Sequence, residues 1–120
     1  MTDRELLELA AKAAGLKSGE IENNAANSHQ TFYVWNDDGK TSRFWNPLAD
    51  DGDALRLAVR LNIDFKAYGT VVRTWVGDFT TQKVIASVEE ICGVDPYAAT
   101  RRAITRAAAE IGARGEKGQS

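Results

Sequence analysis

The stretch Phe44–Leu61, FWNPLADDGDALRLAVRL, separates two β-rich halves of the chain, and its reading decides the fold. Asp50, Asp51 and Asp53 crowd three carboxylates between an aromatic pair and an apolar run. Such a group is either a metal or acid/base site on a loop, or the start of a helix. A calcium loop of the EF-hand type needs oxygen ligands at positions 1, 3 and 5, glycine at 6 and glutamate at 12. With Gly52 in the glycine position, Pro47 and Ala49 fall on the first and third and Ala58 on the last, so the ligand set fails. Acid/base chemistry by paired carboxylates needs environments that push their pKa values apart, whereas an exposed helix start favours ionisation of both. Helix capping accounts for the residues better. Asp50 is suited to the N-cap, with Asp53 at N3 in a box-like arrangement, and each acidic group near this end gains roughly 0.3–1 kcal/mol from the helix dipole. The wheel over residues 53–62 spreads Ala54, Leu55, Leu57, Ala58, Val59 and Leu61 over a wide apolar arc, leaving Asp53, Arg56 and Arg60 as a polar strip. That pattern predicts the most buried helix of the chain.

Upstream of this stretch, Asn46-Pro47 closes a strand, because proline has no N–H for a ladder and holds the preceding residue extended. Residues 31–36 (TFYVWN) and 40–45 (KTSRFW) are rich in β-branched and aromatic side chains around an Asp38-Gly39 turn pair, which predicts a β-hairpin. Residues 17–30 show neither period and read as a loop, with room for a short strand near Ile21. Before them, Thr2 and Glu5 match the capping box, Leu6, Leu9, Ala10 and Ala13 share one helical face, and Gly15 with Leu16 supplies the left-handed stop. Downstream, residues 65–76 and 83–91 read as two further strands joined around Gly77-Asp78. Asp95-Pro96 then opens a third helix, with Tyr97, Thr100, Ile104, Ala107, Ala108 and Ile111 on one stripe and Arg102 and Arg106 opposite. Residues 114–120 carry glycine and charge with nothing apolar and are expected to be a disordered tail.

The expected fold is therefore α+β in the order α-β-β-α-β-β-α. A mainly antiparallel sheet of about four strands is covered by three helices, on both faces, in a single domain over residues 1–113. The 120 residues, 43% of them hydrophobic, suffice for one modest core. Seventeen acidic against fifteen basic residues give a net charge of −2, so no global field draws in nucleic acid or an anionic membrane. Cys92 stands alone, which excludes an intramolecular disulfide and a Cys-rich zinc site and fits a reducing compartment. Asp3, Glu5 and Glu8 interrupt the N-terminal apolar run, so it does not read as a signal peptide, and no segment reads as a membrane span. The expectation is a cytoplasmic protein.

Candidate chemistry is sparse. His29 is the single histidine and sits in a polar loop, and Cys92 has no second cysteine or nearby base to activate it. No phosphate loop, nucleophile elbow or dinucleotide fingerprint is present. No catalytic residue, metal ligand or cofactor is therefore expected. Arg101, Arg102 and Arg106 make the last helix the most basic region and are the candidates for phosphate contacts. Trp45, Asn46, Asp50 and Asp51, at the junction entering the middle helix, are the candidates for contact with a partner. Exposure of Trp35, Trp45 or Trp75 would favour a protein interface, where aromatic side chains beside arginine serve as anchors.

Three blocks taken in order, MTDRELLELAAKAAGL, FWNPLADDGDALRLAVRL and DPYAATRRAITRAAAEIG, resemble a group of small phage and prophage proteins of unknown function with an α-β-α sandwich-like domain. The resemblance carries no catalytic residue across. It implies a phage accessory protein acting in the bacterial host cell, of the kind that binds and blocks a host protein, including components of defence systems such as CRISPR. The alternative, from the residues, is a small nucleotide- or nucleic-acid-binding protein using the basic last helix.

Overall fold

The computed structural model describes residues 2–17, 32–36, 38–77 and 84–118, with backbone alone at 84–86 and 115–118. The elements run α1 (Asp3–Ala13), β1 (Tyr33–Trp35), β2 (Ser42–Phe44), α2 (Asp51–Leu61), β3 (Ile63–Ala67), β4 (Val71–Gly77), β5 (Val84–Ile91) and α3 (Pro96–Gly118). The α+β alternation of helices and strand groups is as expected. The strand count and sheet layout are not: five described strands form two antiparallel sheets, β1-β2 and β3-β4-β5, in place of one sheet of four. The additional strand arises at Gly69. Residues 65–76 read as one strand, but Gly69 takes φ +86° at the first central position of a two-residue turn, and Tyr68 N–H donates to the Val71 carbonyl at 2.7 Å. Glycine at that position is what a II′ hairpin turn requires.

Both ends predicted for α1 and the start predicted for α3 are realised. Thr2 and Glu5 form the reciprocal capping box. At the other end of α1, Leu16 N–H reaches the Ala11 carbonyl at 2.9 Å and Gly15 N–H that of Lys12 at 3.1 Å, the paired bonds of a Schellman motif with Gly15 at φ +72°. Asp95 caps α3 by accepting from Tyr97 and Ala98 N–H at 3.0 and 3.1 Å. Asp38 organises the first hairpin: its carboxylate accepts from Lys40 and Thr41 N–H at 2.8 and 3.0 Å, and these bonds hold its pKa below the ordinary aspartate value.

The core centres on α3. One side of this helix packs on β3-β4-β5 and another on α1 and α2. It is small residues that permit this: Ala103, Ala107 and Ala108 have no exposed surface, and Ala10 and Ala11 of α1 match them. At Gly112 the helices approach so closely that an added Cβ would lie 2.9 Å from the Leu9 carbonyl carbon and closer still to its oxygen. Thr74 is 1% exposed between sheet and helix, and its hydroxyl donates to the Val88 and Ala103 carbonyls. On the opposite face of the three-stranded sheet, Asp64, Lys66, Arg73, Glu89 and Ile91 are exposed, and no described helix covers them. The expected cover on both faces is thus not found among the described residues.

Burial corrects two helix readings. The most buried helix is α3, not α2, in which Ala54, Leu57, Ala58 and the carboxylate residue Asp53 are buried while Leu55 and Val59 are 56% and 70% exposed. The apolar arc of α2 is wider than the face the core covers. Tyr97, placed on the buried stripe of α3, is 70% exposed in its first turn. Helix α3 also continues to Gly118, beyond the end at residue 113 read from the sequence.

Candidate binding surface

The acidic junction of Asp50, Asp51 and Asp53 is consumed by structure. Asp50 is the N-cap of α2 and accepts from Asp53 N–H at 2.8 Å. Asp53 does not complete a box back to Asp50. Its Oδ2 accepts from Asn46 N–H at 2.9 Å and its Oδ1 from Arg56 Nη2 at 2.7 Å, because Asp50 N–H already donates to the Asn46 carbonyl. Asn46 Oδ1 accepts from Leu48 N–H at 3.0 Å, which tightens the turn through Pro47. Asp51 is exposed and pairs with Arg101 across the molecule at 2.6 Å. Trp45 is 3% exposed and its ring lies 5.9 Å from that of Phe32, so it belongs to the core and not to the surface proposed for it. The burial of Trp45 follows from β-strand alternation, which turns it to the same side as Val34 and Phe32.

The candidate phosphate ligands are likewise occupied. Arg101 is largely buried; its Nε donates to the Leu48 carbonyl at 3.0 Å while Nη1 holds Asp51. Arg102 pairs with Asp3 at 3.2 Å and with Glu90 at 3.7 Å, and Arg106 pairs with the other oxygen of Glu90. These pairs tie α3 to α1, α2 and β5, and each cation already faces a carboxylate. Among the described residues no group of three or more His, Cys, Asp or Glu could hold a metal, and no helix is long and apolar enough to cross a membrane. Cys92 is half-buried with a free thiol. His29 and the short strand suggested near Ile21 lie outside the described residues.

Two apolar surfaces remain without an internal role. On the hairpin β1-β2 the register sets Tyr33 opposite Phe44 and Trp35 opposite Ser42. Phe32, Val34 and Trp45 turn inward, so Tyr33, Trp35 and Phe44 share the outward face. The Tyr33 and Phe44 rings are 4.6 Å apart, Phe44 is 65% exposed and Trp35 is 42% exposed. Trp35 also borders a hollow of about 970 Å³ whose other wall is Glu5, Glu8, Leu9 and Lys12 of α1. The sequence did hold a signal for this face. TFYVWN and SRFW are apolar on both sides of the pleat, and a two-stranded ribbon has one side to bury. A second apolar surface lies along α2, where Leu55 and Val59 border a groove of about 410 Å³. Against protein-family models, curated proteins and solved structures, the chain finds no match.

Proposed function

We propose that the chain is a non-catalytic binding protein that docks another protein on the outward aromatic face of the β1-β2 hairpin. In line with the resemblance of its three sequence blocks, the proposed setting is a phage or prophage accessory protein that occludes a surface of a host protein, with a bacterial defence component such as a CRISPR effector as the class of target. The observation that carries the reading is the pair of exposed rings Trp35 and Phe44, with half-buried Tyr33 beside Phe44 on the same face. Large aromatic side chains dominate the energetic centres of protein interfaces, since they bury much area at a low cost in rotamer freedom. Removing one such anchor from an interface typically costs about 2 kcal/mol or more of binding. The nucleic-acid alternative is weakened by the carboxylate partners of Arg101, Arg102 and Arg106, because a phosphate would have to displace Asp51, Asp3 or Glu90.

The test is capture of the tagged protein from a lysate of its bacterial host, at high salt and after nuclease, for the parent chain and for Trp35→Ala/Phe44→Ala. A stoichiometric protein that resists both treatments and is lost with the double variant, while the variant keeps its melting temperature, supports the reading. Retention by the double variant, loss on nuclease treatment, or a turnover activity abolished by one substitution would each overturn it.

A further inference from the structure

The surplus apolar arc of α2 has a distinctive surrounding. Leu55 and Val59, one turn apart, wall a groove whose floor runs over Leu57 and Trp45 to Leu16 at the end of α1. Arg43 of β2 and Arg56 and Arg60 of α2 also line it, and no carboxylate does. Arg56 is engaged by Asp53. Arg43 donates to a neutral partner, Asn36 Oδ1, at 3.3 Å, and neither Arg43 nor Arg60 makes an ion pair among the described residues. In a chain of net charge −2, this is positive charge concentrated around an apolar floor.

We propose that this groove is a docking site for an acidic amphipathic segment of a partner protein. A bulky apolar side chain of the segment seats between Leu55, Val59 and the edge of Trp45, and flanking Asp or Glu side chains pair with Arg43 and Arg60. The volume is near the lower end of the range for ligand clefts, which suits side chains of a segment and not a whole folded face. Charge complementarity sets register and encounter rate, and the buried anchor supplies affinity. A nucleic acid fits less well: binding of single strands relies on exposed aromatic faces, whereas the exposed wall here is aliphatic and Trp45 is 3% exposed. The inference does not depend on the hairpin reading, since Arg43 alternates with Phe44 along β2 and turns to the other face.

The experiment is selection of a random-peptide display library on the intact protein, followed by fluorescence anisotropy with the enriched peptide. The expected winners carry a large apolar residue flanked by Asp or Glu. Arg43→Glu/Arg60→Glu should weaken such a peptide by roughly tenfold or more, and the same variant should prefer the peptide with Lys in place of its acidic residues. Val59→Asp, at an exposed position, should abolish binding without a change in melting temperature. Trp35→Ala/Phe44→Ala should leave the peptide affinity unchanged, so failure of the hairpin reading and failure of this one are separable. No enrichment, winners without acidic bias, or an affinity indifferent to the charge reversal would overturn the proposal. Cross-links from the groove to residues 18–31 of the same chain that persist with peptide present would overturn it too.

Discussion

Gly112→Ala sets two effects of known size against each other, and the structure decides the sign. In a helix interior alanine is favoured over glycine by about 1 kcal/mol, so propensity alone predicts a more stable protein. At position 112, however, the new methyl would lie 2.9 Å from the Leu9 carbonyl carbon and 3.3 Å from its Cα, and closer to the carbonyl oxygen. The obstacle is backbone, so no rotamer change relieves it; α1 must move away from α3 by about 1 Å. That movement opens the seam in which Ala10, Ala11, Ala107 and Ala108 are fully buried, and close-packed contacts fall off steeply with such a gap. Overpacking of this kind costs typically about 1–3 kcal/mol and sometimes more, enough to exceed the propensity gain. The expected result is a net loss of about 2 kcal/mol, or roughly 6–12 °C in melting temperature for a chain of this size. The assay is urea and thermal unfolding followed by circular dichroism. Gly93→Ala is the control, since a Cβ there meets nothing within 4 Å and its φ is not left-handed, so it should be neutral or slightly stabilising. Leu9→Ala in the Gly112→Ala background should give no rescue, because it leaves the Leu9 carbonyl in place. A higher melting temperature for Gly112→Ala would refute the close approach of α1 and α3.

Arg101→Ala removes two charge-assisted bonds from a largely buried guanidinium, one to the Leu48 carbonyl and one to Asp51, and should cost about 2 kcal/mol in urea unfolding. Asp51→Ala should cost less than about 1 kcal/mol, because that carboxylate is 73% exposed, and equal losses for the two would refute a separate contribution from the Arg101–Leu48 bond. For Asp38, whose folded pKa is lowered by the Thr41 and Lys40 N–H groups, the hairpin contribution is present above the unfolded pKa and is lost as pH falls through the lower folded value. A carboxyl-carbon NMR titration should therefore give a midpoint below the ordinary aspartate value, and a midpoint at or above it would contradict the turn geometry.

The parts of this fold that were legible in the sequence are those specified locally. The Thr2-Glu5 box, the Gly15-Leu16 stop, the Asp38-Gly39 turn and the Asp50 and Asp95 caps each depend on bonds within a few residues, and each is present. Gly69 was equally local, but its signal was diluted by the β-branched residues around it, and so β3 and β4 read as one strand. The readings that failed needed tertiary information. Nothing in the wheel of α2 states how much of its arc α3 will cover; Trp45 is different, since the alternation of the hairpin strands already sets it on the side of Val34 and Phe32. The arginines of α3 show the same limit from the other side. Their partners Asp51, Asp3 and Glu90 come from α2, α1 and β5, so a helix read in isolation looks like a free basic face.

The polar and the apolar halves of the candidate surface carry different weight for a common physical reason. A carboxylate or guanidinium on a small α+β domain is readily recruited into caps and inter-element pairs, and the acidic junction and the basic helix were recruited in that way. Their presence in the sequence was therefore weak evidence of a site. An exposed aromatic or aliphatic side chain is different when several cluster, because the core gains by burying them and nothing in the chain's polar bookkeeping requires them outside. Trp35 and Phe44, with half-buried Tyr33 beside them, form one such cluster and Leu55 with Val59 another. The two differ in what surrounds them: the α2 groove is lined by arginines and no carboxylate, whereas the outward face of the hairpin adjoins a hollow lined by Glu5, Glu8, Lys12 and Lys17. A partner that used both faces would thus present acidic groups to α2 and an apolar, charge-balanced surface to the hairpin. Raising the salt concentration should loosen the first contact and leave the second, and salt loosening both alike would refute the distinction.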